Sequence, residues 1–366
     1  MSKEPDGALT ICRTTMKAMI LAAGRGERLR PLTAHVPKAL IPVLNVPAIV
    51  HTLTYLRNWG ITEAVINLHH EGAKVRRALG NGTELGMHIE YSEEQLLMGT
   101  AGGIKKAEHL LSGGTFVAIN ADVLTAVPLA EVLSHHRNRR ALATLVLRQD
   151  AEAEKYGTLA MGAGGRILRL LDLRVGSEPH ELVAMFTGIH LLEPEIFHAI
   201  PPGRPCGITE ETYPALLKAG APVFGHLYSG YWADIGRPAN YLAAHLALMD
   251  GKLPMPDSTV PDGRIAQVGH GARVGPLSKL LPPVLVGGGC TIEDGAQVGP
   301  GTTIGDRACL ARGCIVRGSV LWDNVTVGAE AIVTGSIIAS DATIAARARV
   351  DRMIVTPNES VLMDAE

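Results

Sequence analysis

The sequence predicts two domains, an α/β domain with a largely parallel sheet and a C-terminal solenoid of short parallel strands. In about the first 250 residues, apolar runs alternate with helical stretches. From about residue 266 onward, apolar residues instead recur every six positions, a period that no helix has. The chain has 366 residues, which is enough for two substantial hydrophobic cores.

The apolar runs of the first domain are short and rich in β-branched residues, as buried strands are. They lie at 18–23, 64–68, 116–119 and 143–147. The helical stretches lie at 49–59, 72–79, 103–111 and 129–138. A strand, helix, strand order of this kind predicts a largely parallel sheet with helices on both faces. Such sheets bind their ligands at the carboxyl ends of the strands.

The six-residue period of the second domain has one large and one small inward position. The large positions hold Val286, Ile292, Val298, Ile304, Leu310, Val316 and Trp322. Four residues after each stands a small or β-branched residue, namely Cys290, Ala296, Thr302, Ala308, Cys314, Val320 and Thr326. The register extends backwards through Val268, Val274 and Leu280, and after Trp322 it slips and resumes through Val327, Val333, Ile344 and Val350. This pattern resembles the hexapeptide repeat of left-handed parallel β-helices, in which each hexapeptide forms one side of a triangular coil.

These two patterns set the predicted domain boundaries. Residues 1–15 form a polar N-terminal extension without the apolar centre of a signal peptide. We expect the α/β domain at 16–250, a linker at 251–265, the β-helix at 266–356 and a C-terminal tail at 357–366.

Composition and charge argue against several classes of partner. The net charge is -2 and no basic stripe alternates with aromatic residues, so we expect no nucleic-acid partner. No apolar stretch is long enough to span a bilayer, so we expect no membrane partner. Five cysteines without a Cys-x-x-Cys spacing favour reduced thiols in a cytoplasmic protein. The adjacent pair His69-His70 lacks the i, i+4 spacing of a helical metal site, and we assign it a surface or capping role.

The stretch Leu21 to Thr33 has the features of an anion-binding loop. An apolar strand ends in a turn whose glycines, Gly24 and Gly26, allow backbone N–H groups to close on an anion. Four cations lie in or just after this turn: Arg25, Arg28, Arg30 and Lys38. The spacing fits neither a Walker loop nor a dinucleotide fingerprint, which would need a third glycine where Leu29 stands. Since guanidinium groups bind phosphate oxygens in a bidentate fork, we predict a nucleoside triphosphate site.

Two acidic residues are candidates for a metal site. Asp122 follows the apolar run 116–119, at the same predicted sheet edge as the glycine turn. Asp234 lies in the partly apolar segment 231–238, just before a helical run. A lone aspartate at a strand end is usually a turn former. Two carboxylates, however, could share one Mg²⁺ and leave positions open for substrate phosphates.

Six short motifs along the chain form a recognisable series. They are Lys17 to Lys38, Leu97-Met98-Gly99-Thr100-Ala101-Gly102-Gly103, Asn120-Ala121-Asp122, Tyr156-Gly157, Phe186-Thr187-Gly188-Ile189 and Trp232-x-Asp234-Ile235-Gly236. Their order is that of sugar-1-phosphate nucleotidyltransferases, which the chain resembles over nearly everything after residue 16. Together with the C-terminal repeats, the series resembles the mannose-1-phosphate guanylyltransferase (GDP-mannose pyrophosphorylase) type. The resemblance implies a Rossmann-like, mixed and mostly parallel sheet.

The resemblance also implies the reaction. An oxygen of a sugar 1-phosphate attacks the α-phosphorus of a nucleoside triphosphate, expelling pyrophosphate and leaving a nucleotide sugar, without a covalent enzyme intermediate. The expected substrates are GTP and mannose 1-phosphate. Catalysis would come from holding the two anions in line and neutralising the charge that grows on the phosphorus.

Individual residues take roles from the same resemblance. Arg28 would bind the triphosphate and the departing pyrophosphate, and Lys38 would lie near the α-phosphate. Asp122 would hold Mg²⁺ together with Asp234. The residues expected to line the nucleotide are Leu21, Ala23, Gly24, Arg25, Gly26, Gly99, Thr100 and Gly102.

The sugar side departs from the family pattern. Tyr156-Gly157 and Gly188 match positions where the family's backbone approaches the hexose, although both glycines could instead only turn strands. The family's Glu-Lys-Pro lysine, which meets the sugar phosphate, is replaced by leucine in Leu171-Asp172-Leu173-Arg174. Arg174, one residue on, is the candidate to reach the same phosphate oxygen.

Two alternatives follow from these departures. The triplet Phe186-Thr187-Gly188 lacks the asparagine that is common before this glycine. It is closer to relatives that uridylylate N-acetylated amino-sugar phosphates, so a different nucleotide with another hexose or amino-sugar 1-phosphate is the first alternative. Loss of the lysine allows a second, a regulatory subunit that senses nucleotide sugar with little turnover. Retention of the cations and of both aspartates argues against the second.

The solenoid predicts assembly rather than a second reaction. Ends and flat faces of such coils expose strand edges and apolar patches that another subunit commonly covers. Some coils of this type carry an acyltransferase site with a catalytic histidine, but His270 lies before the most regular repeats. We therefore expect a homo-oligomer formed through the β-helix.

Overall fold

The computed structural model describes residues 16–150, 153, 157–253 and 266–363. The predicted N-terminal extension and most of the predicted linker lie outside the described residues. The strands of the first domain are β1 (Lys17–Leu21), β2 (Pro42–Val43), β3 (Val46–Pro47), β4 (Glu63–Leu68), β5 (His88–Glu93), β6 (Phe116–Asn120), β7 (Val123–Thr125), β8 (Ala143–Arg148), β9 (Thr158–Met161), β10 (Ile167–Leu170), β11 (Leu173–Arg174), β12 (Leu182–Leu192), β13 (Val223–Leu227) and β14 (Trp232–Asp234). Its α-helices are α1 (Ala48–Asn58), α2 (Gly72–Leu79), α3 (Gly99–Lys106), α4 (Glu108–Leu111), α5 (Leu129–Asn138), α6 (Tyr213–Lys218) and α7 (Pro238–Met249).

The main sheet combines parallel and antiparallel strands. Its order is β11-β10-β9-β12-β6-β1-β4-β5, and β8 joins it on β12 and carries β13. The pairs β6-β1, β1-β4 and β4-β5 are parallel, whereas β12 runs antiparallel to β6. The predicted mixed, mostly parallel sheet is therefore confirmed. The carboxyl ends of β1, β4 and β6 meet at one edge.

Helices cover both faces of this sheet, as predicted. One core packs α1 and α5 against it through residues such as Leu53 and Val132. The other core packs α3 and α6 through residues such as Ile104 and Leu217. One helix prediction was inaccurate, because α3 begins at Gly99 instead of at residue 103 and ends at Lys106.

From Ala266 the chain forms a left-handed parallel β-helix. Its strands are β15 (Ala266–Val268), β16 (Arg273–Val274), β17 (Lys279–Leu280), β18 (Val284–Val286), β19 (Thr291–Ile292), β20 (Gln297–Val298), β21 (Thr302–Ile304), β22 (Cys309–Leu310), β23 (Ile315–Arg317), β24 (Val320–Leu321), β25 (Thr326–Val327), β26 (Ile332–Thr334), β27 (Ile337–Ile338), β28 (Thr343–Ile344), β29 (Arg349–Asp351), β30 (Met353–Val355) and β31 (Ser360–Leu362). Every third strand from β15 to β30 stacks in parallel in one of three sheets. Strand β31 turns back and pairs antiparallel with β30.

The predicted inward register is confirmed from Val286 to Val316 and is wrong at Trp322. The large residues of the confirmed part lie in the coil core, as do Cys290 and Cys314 at small positions. Val286 pairs with Ile304, which is 18 residues further, but Ile304 pairs with Leu321, only 17 residues further. The shorter coil gives Leu321 the inward position and turns Trp322 towards the first domain. The slip thus precedes Trp322.

The one-residue shift also changes which residues occupy the small inward positions around Leu321. The predicted register is wrong at the first coil as well. Val325 lies in the coil core, whereas Thr326 is exposed. Val320, the other predicted small position, packs towards the first domain. In the first coil, Val268 and Val274 are 41% and 39% exposed, against the prediction. Their strands are the first of their sheets, so no earlier coil covers them.

A mixed apolar cluster joins the two domains. It combines Leu29 and Leu32, which follow the glycine turn, with Trp322 and Ile337 of the coil. Polar contacts cross the same junction: the Trp322 indole N–H donates to the Tyr241 hydroxyl at 3.0 Å. The Asn45 amide donates to the Ile304 carbonyl at 2.8 Å, and His245 bonds Thr303 at 3.1 Å. The coil therefore supports the backbone that follows the glycine turn.

Candidate active site

A cleft of about 400 Å³ opens at the carboxyl ends of β1, β4 and β6. Its walls are the glycine turn, the start of α3, the strand end at Asp122, the middle of β12 and strand β14. Of the predicted site residues, the cleft is lined by Leu21, Ala23, Gly24, Arg28, Lys38, Gly99, Thr100, Asp122, Gly188 and Asp234. Topology thus brings together residues that are up to 213 positions apart in the sequence, from Leu21 to Asp234.

The glycine turn is held by its own side chains. Gly26 has a φ of +64°, and a Cβ there would lie 2.9 Å from the Thr33 Cγ2. The Thr33 hydroxyl donates to the Gly26 carbonyl at 2.8 Å. Gly24 differs, because a Cβ there would meet nothing within 4 Å. The protein itself therefore leaves open space beside Gly24.

Four charged side chains converge on one point of the cleft. The Lys38 ammonium contacts the Asp122 carboxylate and lies 3.9 Å from Asp234 Oδ1. The Arg28 guanidinium lies 4.0 Å from Asp234 Oδ2 and is half exposed. The side chains of Lys38 and both aspartates are at most 17% exposed. The cluster is thus partly dry, and charge–charge interactions inside it are stronger than in water.

The two aspartates have different proton affinities. Burial raises the pKa of Asp122, but the positive charge of Lys38 and the hydrogen bonds to Lys38 and Asp234 together outweigh burial, so this pKa lies below its ordinary value. Burial and the negative charge of Asp122 raise the pKa of Asp234 to about 6. A pair of carboxylates this close repels itself, and added positive charge between them would relieve the repulsion.

Gly236 is a close neighbour of this cluster, and the sequence analysis included it in a motif but did not name it as a site residue. Its backbone N–H donates to Asp234 Oδ1 at 2.5 Å. A Cβ on Gly236 would lie 2.6 Å from Asp234 Oδ1 and 3.0 Å from both Arg28 Nη2 and Lys38 Nζ. Only a residue without a side chain leaves these three groups where they are.

A buried polar network braces the side of the cleft that is formed by the glycine turn and the start of α3, and the sequence analysis missed it. The Asn67 amide accepts from the Ala22 N–H at 2.7 Å and donates to Glu94 Oε1 at 2.7 Å. Glu94 is 5% exposed, and its Oε2 accepts from the Met98 N–H at 2.8 Å. The network ties the glycine turn to the loop before α3. The only signal in the sequence was a polar Asn67 within an apolar strand.

Tertiary contacts explain why α3 begins among glycines. The Met98 carbonyl accepts from the Cys206 N–H at 2.8 Å, and the Thr100 hydroxyl accepts from the Ile208 N–H at 2.8 Å. Gly102 donates its N–H to the Cys206 carbonyl at 3.1 Å. These bonds outweigh the weak helix propensity of glycine. Gly102 is buried under this segment and does not line the cleft.

The floor of the cleft is built from Gly188, Asn120 and Trp232. Gly188 has a φ of +77°, and a Cβ there would lie 2.5 Å from the Asn120 amide nitrogen. The pairing of β12 with β8 is irregular around it. The Trp232 indole N–H donates to the Thr187 carbonyl at 2.9 Å, which fixes strand β14 against β12. Glycine is therefore required at position 188 by the positive φ and by the close contact with Asn120.

The remaining predicted site residues lie elsewhere. Arg25 lines a separate cavity, and Gly26 packs against Thr33 and does not line the cleft. Gly157 packs against the Leu171 side chain and does not line the cleft. Arg174 donates to Glu181 at 2.6 Å and is also away from the cleft. Tyr156 lies outside the described residues.

In the part of the chain that the structure describes, no helix is both long and apolar enough to cross a membrane. Within the same residues, no group of three or more histidine, cysteine or acidic side chains is arranged to hold a metal ion.

Comparisons with known proteins agree with this geometry. The nucleotidyl transferase family profile matches residues 17–251, and the profile of the GMPPB C-terminal domain matches residues 280–365. A mannose-1-phosphate guanylyltransferase of Mycobacterium tuberculosis is 31% identical and covers 82% of both chains. Mannose-1-phosphate guanylyltransferase 1 of Arabidopsis thaliana is 29% identical, covering 86% of this chain and 88% of its own. A UTP–glucose-1-phosphate uridylyltransferase of Synechocystis sp. is 28% identical, with 86% and 84% covered.

A solved structure shares the fold. The crystal structure of a candidate glucose-1-phosphate thymidylyltransferase from Bacillus anthracis matches with a TM-score of 0.54 and 24% identity. The match covers 63% of this chain and 94% of that chain. The shared fold alone does not assign a family, but the match to the family profile and the identity to the relatives do. This chain belongs to the nucleotidyl transferase family and is a sugar-1-phosphate nucleotidyltransferase.

Proposed function

We propose that the enzyme converts GTP and mannose 1-phosphate into GDP-mannose and pyrophosphate. The observation that carries the proposal is the convergence of Arg28, Lys38 and the two aspartates in one cleft beside an open glycine turn. The names of the relatives from Mycobacterium tuberculosis and Arabidopsis thaliana support the choice of GTP and mannose 1-phosphate.

The charged residues suit an in-line displacement. A phosphate oxygen of the sugar 1-phosphate forms a bond to the α-phosphorus, and the bond from that phosphorus to the pyrophosphate oxygen breaks. Arg28 is exposed enough to bind the leaving pyrophosphate in a bidentate fork. Lys38 lies beside the strand end at Asp122, where it can neutralise charge on the α-phosphate. Positioning and electrostatic stabilisation supply the rate enhancement.

The aspartate pair fits a divalent cation, which we propose to be Mg²⁺. Asp122 and Asp234 would hold it, and the raised pKa of Asp234 supports this, because burial and the negative charge of Asp122 both disfavour a second bare carboxylate there, which a bound cation would stabilise. Mg²⁺ prefers a few carboxylates with water and phosphate oxygens as its other ligands. When bound, it would polarise the phosphate oxygens as a Lewis acid.

The sugar phosphate supports an alternative substrate. Arg174, which could have replaced the missing family lysine, is held by Glu181. Because Arg174 of β11 is paired with Glu181, this strand supplies no other cation for the phosphate of the sugar substrate. A uridylyltransferase for another hexose or amino-sugar 1-phosphate is therefore the second candidate, and the Synechocystis sp. relative supports it. A sensing subunit with weak turnover is the third.

A substrate panel separates the three candidates. Pyrophosphate release is measured with GTP, UTP, ATP or dTTP against mannose, glucose and N-acetylglucosamine 1-phosphates, each with and without Mg²⁺. We expect the highest kcat/KM with GTP and mannose 1-phosphate, and loss of activity without the cation. A preference for UTP would replace the proposed substrates, and saturable binding without release in any combination would favour the sensor.

The same assay tests the aspartates. Asp122→Asn should lower kcat by about 10³-fold, because a ligand of the cation and the partner of Lys38 are lost together. Asp250→Asn removes an exposed aspartate at the end of α7, away from the cleft, and is the matched control. Equal activity of both variants would contradict the proposed metal site.

The β-helix supports a proposed homo-oligomer. Its first coil exposes Val268, Val274, Leu277 and Leu281, of which Leu277 is 71% exposed. A second subunit would cover this end of the coil. Light scattering of the full chain should report more than one subunit, and Leu277→Asp should lower the mass. A monomeric wild-type chain would contradict the proposal. We also propose a cytoplasmic location, supported by the four described cysteines, which are free thiols.

A further inference from the structure

A second cavity, of about 580 Å³, is lined by Arg25 of the glycine turn and shares no lining residue with the cleft. Three segments form it: the turn and the residues after it, the loop after β4, and the end of the β30–β31 hairpin. Its charged and polar walls come from Arg25, Arg30, His69, His70 and Glu359. A cavity of this volume is within the range of small-ligand sites.

The cationic side chains of this cavity have no protein partner. Across the described residues, neither the Arg25 nor the Arg30 guanidinium makes an ion pair or a hydrogen bond, and both residues are exposed. By contrast, Arg76, Arg174 and Arg204 each pair with a glutamate at 2.6–2.7 Å. Two unpaired arginines that face one cavity are a binding surface for an anion, because a guanidinium group and a phosphate match in a bidentate geometry.

The other walls fit the same ligand. His69 donates its Nδ1–H to the Glu94 carbonyl at 2.9 Å, which fixes the ring at the edge of the cavity. His70 is exposed beside it. Glu359 lies in the turn of the hairpin and forms no ion pair with either arginine in the described chain. With two arginines against one glutamate, the cavity has an excess of positive charge.

The C-terminal hairpin is held in place beside the glycine turn. Val361 lines the cavity and also packs against the mixed apolar cluster that contains Leu29 and Leu32. The cavity therefore joins both domains, and it shares the Gly24–Gly26 turn with the cleft. Its arginines are distinct from Arg28, which lines the cleft.

We propose that this cavity is a second anion site, separate from the catalytic cleft, that binds a small phosphate-bearing molecule between the glycine turn and the C-terminal hairpin. The proposal goes beyond the nucleotidyl transfer reaction and does not depend on which substrates the cleft takes. It assigns Arg30 and His70 to the second ligand, and it makes Glu359 an opposing charge that weakens binding.

Isothermal titration calorimetry of the full chain with inorganic phosphate tests the proposal. We expect saturable binding that Arg30→Gln weakens by about 10-fold or more, since a charge-assisted contact is lost. Glu359→Gln should tighten binding, an effect that a merely structural role would not produce. Arg349→Gln, which removes an exposed arginine of the coil outside the cavity, is the matched control and should leave binding unchanged.

Arg28→Gln separates this cavity from the cleft. Binding that survives Arg28→Gln and is lost in Arg30→Gln supports a second site. Absence of saturable phosphate binding to the wild-type chain would overturn the proposal. So would binding that Arg28→Gln weakens as much as Arg30→Gln, because the phosphate would then occupy the cleft. Melting curves of each variant confirm that both exposed arginines can be replaced in the folded chain.

Discussion

The β-helix and the charged cluster in the cleft of the first domain are built on opposite principles. Each inward residue of the coil meets partners one coil away, 17 or 18 positions along the chain. The charged cluster of the cleft instead joins Lys38 with Asp122 and Asp234, 84 and 196 positions away. The coil repeats one local solution, whereas the cleft is a single arrangement that the topology of the whole domain assembles.

The difference teaches where a sequence change should act. In a stacked coil, stability is approximately a sum of repeat and neighbour terms, so a lost inward side chain weakens several coils without altering chemistry elsewhere. In the cleft, a shift of about 1 Å changes the rate strongly while the fold remains. The mixed apolar cluster around Leu29 and Trp322 is where the two regions meet.

The coil side of this comparison is tested at Leu310, which is fully buried in the coil core. Leu310→Ala should lower the free energy of unfolding by about 2–5 kcal/mol, because it leaves a cavity. Leu362→Ala, the same change at a 72% exposed site, is the control and should cost little. Denaturant unfolding measures both variants. If Leu310→Ala also removed activity in the folded chain, the two regions would not be independent.

The cleft side is tested at Gly236. Gly236→Ala places a methyl group 2.6–3.0 Å from the terminal atoms of Asp234, Arg28 and Lys38. We expect kcat/KM to fall by about 100-fold with little change in melting temperature, since the cluster is displaced without loss of the core. Gly113→Ala, where a Cβ meets nothing within 4 Å, is the control. Unchanged kinetics in Gly236→Ala would show that the cluster can rearrange freely.

Acid should distinguish the two regions by stability. The first domain buries His190, whose pKa burial lowers to about 3, while the described coil has no buried histidine. Because the folded-state pKa is lowered, the unfolded chain binds the proton more readily once the pH falls below about 6.5. The free energy of unfolding therefore decreases between about pH 6.5 and pH 3.

At pH 5 the contribution of His190 is a loss of about 2 kcal/mol relative to pH 7. Hydrogen exchange followed by mass spectrometry should show β12 losing protection in acid before the coil strands do. His190→Gln should have a shallower pH dependence of unfolding than the wild-type chain. Equal acid sensitivity of both regions would contradict this prediction.

The smallest expected effect concerns Gly24, where the folded chain leaves open space. Gly24→Ala should leave stability unchanged and raise the KM for the nucleotide by about 10-fold, if the nucleotide approaches the backbone there. Gly164→Ala is a matched control, because a Cβ there also meets nothing within 4 Å. An unchanged KM would place the nucleotide away from this turn.

Much of the site was predictable because strand ends can be read from the sequence. The apolar run 116–119 predicted the strand that ends beside Asp122. Because parallel strands share a carboxyl edge, the same reasoning placed Asp122 near Gly24. The Asn67–Glu94 network and the contact at Gly236 were not predictable in this way. Each depends on which side chains from different elements meet, and a single Asn or Gly in the sequence carries no such information.

The sequence by itself determined the two architectures. The alternation of strands and helices in the first domain permits burial of the apolar residues in a covered sheet, and the six-residue period of the second permits it only in a coil of short strands. The sequence also predicted the glycine turn that lines the cleft. Only the tertiary structure decided which side chains contact each other. Trp322 packs towards the first domain instead of the coil core, and Arg174 pairs with Glu181. Arg25 and Arg30 line a second cavity. The physical reason is that these contacts depend on small local differences. A coil that is one residue shorter, or a side chain contributed by a distant element, changes the direction of a side chain while the hydrophobic pattern of the sequence stays the same.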